Sequence, residues 1–113
     1  PRTALETLLA QTLTVLLERD SVGIHDNLFE LGGDSLLVIR MASRIRDLLR
    51  IEVLPGLIFE YPSVADLAQA LAVRHGAPDV LERTAKLRLK LDAMEPAERA
   101  RIEALAREQM QSR

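Results

Sequence analysis

Apolar residues in this chain return every three or four positions, and proline or glycine cuts each such run to helix length. Leu5, Leu8, Leu9, Leu13 and Leu16, with Thr12 among them, form one stripe, so the chain predicts an amphipathic helix from about residue 4 that stops near Arg19 or Asp20. Thr3 and Glu6 stand at capping-box spacing at its start, Glu6 reaching back to Thr3. The period returns from Ser35 to about Leu49, where Leu37, Val38, Met41, Ala42, Ile45, Leu48 and Leu49 fill an inward stripe. Pro55 opens a single short helix through Leu57-Ile58-Phe59-Glu60, with Phe59 expected in the core. Ser63 then caps a further helix with Asp66 at the capping-box distance; Leu67, Ala68, Leu71 and Ala72 form its apolar side, and Gly76 is its expected C-cap. Ile51 to Leu54 is apolar, but a lone strand has nothing to pair with, so it reads as an extended loop. The fold class that follows is all-α, a four-helix bundle of three longer helices and one short one. Aromatics are 3% against 48% apolar residues, so its core must be Leu, Ile, Val and Ala. At 113 residues there is room for one small domain and an appendage, and none for a second catalytic domain.

The connection from residue 20 to 34 includes Val22, Ile24, Leu28, Phe29 and Leu31, more large apolar residues than a disordered linker carries, so it is expected to pack down. It ends in Gly32-Gly33-Asp34-Ser35. Ser35 fits an N-cap or first-turn position, which puts its hydroxyl where unpaired backbone N–H groups and the helix dipole favour an anion. A phosphodiester on that oxygen would be well placed. The two glycines let the backbone turn sharply and let another protein approach. Taken alone, Ser35 could equally do no more than cap a helix.

The wider stretch Asp26-Asn27-Leu28-Phe29-Glu30-Leu31-Gly32-Gly33-Asp34-Ser35-Leu36 resembles the signature of carrier proteins, specifically the peptidyl carrier (thiolation) domains of nonribosomal peptide synthetases and their acyl carrier relatives. The similarity runs from about Thr3 to Arg74 and includes a second block, Phe59-Glu60-Tyr61-Pro62-Ser63-Val64-Ala65-Asp66-Leu67-Ala68, which looks like that family's short third helix, its turn and its fourth helix. The Gly-Gly-Asp-Ser form looks more like peptidyl than fatty-acid carriers. The resemblance implies a 4′-phosphopantetheine arm, taken from coenzyme A, on Ser35. It implies a carrier role for aminoacyl, peptidyl or hybrid acyl thioesters. It also implies the partners: a phosphopantetheinyl transferase, and adenylation, condensation, thioesterase or ketosynthase domains of a peptide or hybrid peptide/polyketide synthase. By the same resemblance, partners grip the start of the second helix, where Leu36 and Ile39 are left over from the inward stripe. Asp34, Leu36, Ile39, Arg40 and Ser43 are therefore the expected contacts. The helix is arginine-rich where many fatty-acid carriers are acidic, which would select different partner surfaces.

Past Gly76 the resemblance weakens, dividing the chain into a carrier unit at 1–75 and a helical tail at 76–113. Residues 1–75 hold ten acids and seven bases, net −3, and residues 76–113 seven acids and eight bases, net +1. Ala77-Pro78-Asp79 restarts helix, with Val80, Thr84, Leu87, Leu91 and Met94 on one seam; Glu95-Pro96 opens another, with Ile102, Leu105, Ala106 and Met110. Three readings stand: a helical hairpin packed on itself or on the bundle, a linker ordered only in a larger protein, or a docking element that presents Leu87, Leu91, Met94, Ile102 and Leu105 to the next protein.

The chain has no cysteine, which excludes disulfides and thiolate chemistry. His25 has no second histidine nearby, so it reads as a surface histidine and no metal is expected. A formal charge of −2 argues against nucleic acid or an anionic membrane as partner. No apolar run of about 18 residues and no signal-peptide pattern is present, so the chain reads as a soluble, cytoplasmic monomer. A serine hydrolase is not supported: Gly33-Asp34-Ser35-Leu36-Leu37 lacks the second glycine of Gly-x-Ser-x-Gly and no strand precedes it. No catalytic residue is assigned. The rival from another class is a helical scaffolding or regulatory protein whose Ser35 stays unmodified.

Overall fold

The computed structural model describes residues 2–75 and 78–111, which form six helices and no strand: α1 (Ala4–Leu17), α2 (Ser35–Leu49), α3 (Pro55–Glu60), α4 (Val64–His75), α5 (Pro78–Ala93) and α6 (Pro96–Gln111). The all-helical bundle expected from the periodicity is present. Helix α1 packs on α2, α4 and α5, while α3 bridges α2 and α4. Leu9 and Leu13 of α1, Val38, Met41 and Ile45 of α2, Ile58 of α3, and Leu67 and Leu71 of α4 close the centre, each almost fully buried. A side chain of this size buried there contributes about 1.5–3 kcal/mol.

The helix ends follow from local chemistry. Thr3 caps α1, its Oγ1 accepting from the Glu6 N–H at 3.1 Å. The Glu6 carboxylate passes Thr3 and takes the Arg2 backbone N–H and the Arg2 Nη2, both at 2.8 Å. Those bonds hold the Glu6 carboxyl below the ordinary glutamate range, against the opposing pull of its burial. Helix α1 stops at Leu17, before the expected Arg19, because Glu18 takes a left-handed conformation (φ 55°) and turns its N–H back to Thr14 and Val15 carbonyls. Arg50 closes α2 in the same way (φ 56°). Pro55 starts α3 after the extended stretch 51–54, in which Val53 is buried. Ser63 Oγ accepts from the Asp66 N–H at 3.3 Å at the head of α4, as the spacing predicted. The C-cap expected at Gly76 lies outside the described residues.

One expectation is corrected. Phe59, placed in the core by its apolar neighbours, is 46% exposed and stacks on Phe29 with ring centroids 5.5 Å apart. Helix α5 packs on the bundle, but not through the regular seam of Val80, Thr84, Leu87 and Leu91. The packed face is built from Leu81 and Ala85, both buried, with Leu89 beside them. Glu82, on the same side, sets its carboxylate across the head of α1 and accepts from the Ala4 N–H at 2.5 Å and the Leu5 N–H at 3.2 Å. Two of the orphan donors of α1 are thus satisfied by a residue 78 and 77 positions away. At the end of α5, Asp92 accepts from Arg99 at 3.0 Å with Arg88 at 3.8 Å, and Arg99 also reaches Glu103 at 3.1 Å, so the α5–α6 elbow is laced by charge. Ile102 and Leu105 on α6 are exposed.

Candidate functional site

The loop before α2 is held from both sides. Asn27 turns it, with Oδ1 accepting from the Phe29 N–H at 2.8 Å and its carbonyl from Glu30 and Leu31. The Leu28 N–H donates to the Pro62 carbonyl and the Ala65 N–H to the Ile24 carbonyl, each at 2.9 Å, which ties the loop to the start of α4. Leu28 is buried beneath it; Phe29 and Leu31 are half-buried.

The glycine pair has two separate causes. Gly32 has φ +101°, a region that side chains rarely enter. Gly33 donates to the Leu28 carbonyl at 2.9 Å, and a Cβ there would lie 2.7 Å from that same oxygen. The residue that caps α2 is Asp34: its Oδ1 accepts from the Leu37 N–H at 2.9 Å. Asp34, expected among the partner contacts, therefore already holds a structural bond, though it remains exposed.

Ser35 is thereby freed from capping. It is the first residue of α2, it is exposed, and its hydroxyl makes no hydrogen bond among the described residues. The Ser35 and Leu36 N–H groups have no partner among them either. A phosphate esterified to that hydroxyl fits, since open amides and the positive end of the helix dipole favour an anion.

Leu36, Ile39, Arg40 and Ser43 share one stripe of α2, spaced i, i+3, i+4 and i+7. Leu36 is 55% and Ile39 53% exposed, Arg40 is exposed and Ser43 half-buried. Sequence reasoning missed the exposed Phe59 and Leu54 of the neighbouring α3 region, because apolar residues in a short helix default to the core. In the tail, Leu87, Ile102 and Leu105 are exposed while Leu91 and Met94 are half-buried; Leu87 and Leu91 lie on α5, Met94 in the elbow, and Ile102 and Leu105 on α6. Met110 lies outside the residues whose side chains are described.

The profile of the family described as "phosphopantetheine attachment site" matches residues 3–71. The chain belongs to this family of carrier domains. Domains of this family carry intermediates on 4′-phosphopantetheine and catalyse nothing themselves. Among curated proteins, the dimodular nonribosomal peptide synthase of Bacillus subtilis is 43% identical over 83 residues, 72% of this chain and 4% of that protein. The chain spans 1–8% of the length of the large synthases and synthetases it matches. Among solved structures, a chain of "phosphopantetheine transferase Sfp in complex with coenzyme A and a peptidyl carrier protein" matches at TM-score 0.62 and 30% identity, covering 65% of this chain and 95% of that one. A chain of the "non-covalent extended docking domain complex of the Pax NRPS" matches at TM-score 0.58 and 31% identity, with 80% and 84% covered. The family match thus spans α1 to α3 and most of α4, and the docking-complex match covers a larger share of the chain.

Proposed function

We propose that Ser35 carries the 4′-phosphopantetheine of this carrier domain, and that its terminal thiol holds an aminoacyl, peptidyl or hybrid acyl chain as a thioester within a nonribosomal peptide or hybrid peptide/polyketide synthase. The observation that carries this reading is an exposed hydroxyl with no hydrogen bond among the described residues, on the first residue of a helix whose cap is supplied by the residue before it. A transferase working in the cytoplasm from coenzyme A has to reach only that oxygen, and the side-chain-free glycines clear the approach. The chain's own residues do the rest. Asp34 fixes the start of α2, Leu28 anchors the loop, and the Leu36, Ile39, Arg40 and Ser43 stripe meets each adenylation, condensation, thioesterase or ketosynthase domain in turn. Tethering raises the local concentration of the intermediate at successive sites. Incubation with coenzyme A and a broad-specificity transferase, read by intact mass, tests the assignment. One phosphopantetheinyl group is expected on the wild type and none on Ser35→Ala; a gain that survives Ser35→Ala, or no gain at all, overturns it.

The unit at 1–75 is the carrier, and 76–113 is a tail that docks a downstream enzyme such as a condensation domain through Leu87, Leu91, Met94, Ile102 and Leu105. Support comes from the matched docking-domain complex and from the exposure of Leu87, Ile102 and Leu105. Because α5 contributes Leu81 and Ala85 to the core, the informative truncation removes only residues 94–113. Modification of Ser35 should be unchanged and transfer to the downstream enzyme slowed; unchanged transfer would remove Met94, Ile102 and Leu105 from the docking surface.

A further inference from the structure

Helix α5 has two apolar faces, and the bundle uses one. Its inward register is fixed by Leu81 and Ala85 in the core and by the Glu82 carboxylate on the α1 amides. That register turns Val80 and Leu87 outward on a stripe they share, at 4-3-4 spacing, with the half-buried Thr84 and Leu91. Val80 is 50% and Leu87 58% exposed. The stripe is about 16 Å long, roughly three turns, which suits the apolar seam of a second helix.

The charges beside the stripe are of one sign. On a helical wheel Arg83, Lys86 and Lys90 line one flank, all exposed, with Asp79 their single acidic neighbour in the first turn. The other two acids of α5 are committed: Glu82 to the head of α1, and Asp92 to Arg99 and Arg88 at the elbow. Lys86 and Lys90 have no ion-pair partner among the described residues. The basic flank would oppose a second copy laid on the same stripe, and α6, with Glu98, Glu103 and Glu108 against Arg99, Arg101 and Arg107, is balanced.

We infer that the outer face of α5, Val80, Thr84, Leu87 and Leu91 flanked by Arg83, Lys86 and Lys90, is an interaction surface for an acidic amphipathic helix of a partner protein. This rests on the reading of the tail as a docking element and names the chemistry of what docks there. Contact at a three-turn stripe is weak and, through the lysines, falls with ionic strength, which suits a carrier that must let each partner go.

The test uses the full chain and two designed 21-residue helical peptides with the same leucine heptads, one flanked by glutamates and the other by lysines. Binding is read by fluorescence anisotropy and by amide shifts on the isotope-labelled protein. The glutamate peptide is expected to shift Thr84, Leu87 and Leu91 and to bind at least tenfold more tightly than the lysine peptide. In the double variant Lys86→Glu, Lys90→Glu the preference reverses, and in Leu87→Asp binding of the glutamate peptide is lost with the melting temperature unchanged. Equal binding of both peptides, shifts confined to α2 or α6, or self-association of the chain through this stripe each overturn the inference. If the peptides discriminate as expected while Leu87→Asp leaves downstream transfer unchanged, the surface stands and the docking reading falls. If transfer slows in Leu87→Asp but the peptides show no charge preference, docking stands and the acidic partner is overturned.

Discussion

Helices α2 and α5 are built to the same plan, one face for the bundle and one for visitors, but they are anchored very differently. Helix α2 buries Leu37, Val38, Met41, Ala42, Ile45 and Leu49, and its head is held by Asp34 and a loop pinned at Leu28. Helix α5 sinks only Leu81 and Ala85 and adds a carboxylate lent to another helix. The difference teaches where movement is cheap. The arm's residue sits on an element that opens only when the whole domain unfolds, while α5 lies along α1 and touches α2 and α4 but buries fewer large side chains, so its local opening costs less.

The sharpest way to break that comparison is to hollow each anchor in turn. Ile45→Ala should cost about 3 kcal/mol in urea unfolding, as a cavity at the centre does. Leu81→Ala should cost about 2 kcal/mol, with hydrogen-exchange protection falling in α5 while α2 keeps its own. Equal loss of protection in both helices would mean that α5 is as integral as α2. Next in size is Glu82→Ala, expected to cost about 1 kcal/mol and to raise exchange at the Ala4 and Leu5 amides, since it removes their acceptor.

The smallest effect separates the two carboxylates that meet near the head of α1. The Glu6 carboxyl is held low by the Arg2 bonds, so its charged form is the one that stabilises the fold. That contribution is complete above the ordinary glutamate pKa and disappears as pH falls through the lowered one. Arg2 is largely exposed, so Glu6→Gln should cost under about 1 kcal/mol at pH 7, with the gap to wild type closing on acidification. A gap that widens toward low pH would contradict the sign.

The extent of α2, α3 and α4 was legible in the sequence because those helices are set by local signals: apolar period, Pro55, and the Ser63–Asp66 spacing. The packed loop was legible too, from its five large apolar residues. What escaped was non-local. Asp34 and Ser35 are both good caps, and only the observed bond to Leu37 shows which one does it. Phe59 looks like a core residue until the stacking on Phe29 is seen. In α5 the seam through Val80, Thr84, Leu87 and Leu91 is more regular than the Leu81, Ala85 and Leu89 face that the bundle takes, so period alone could not tell which face packs. No pattern near Glu82 could announce that it completes a helix 77 residues upstream.

The charged elbow at Asp92 also sets a mechanical scale. With Arg99 pinning the start of a 16-residue rod about 24 Å long, a turn of only about 10° at that joint sweeps the far end through about 4 Å. A loss of one ion pair there would be felt least where it occurs and most at the tip, as with any oar worked loose in its rowlock.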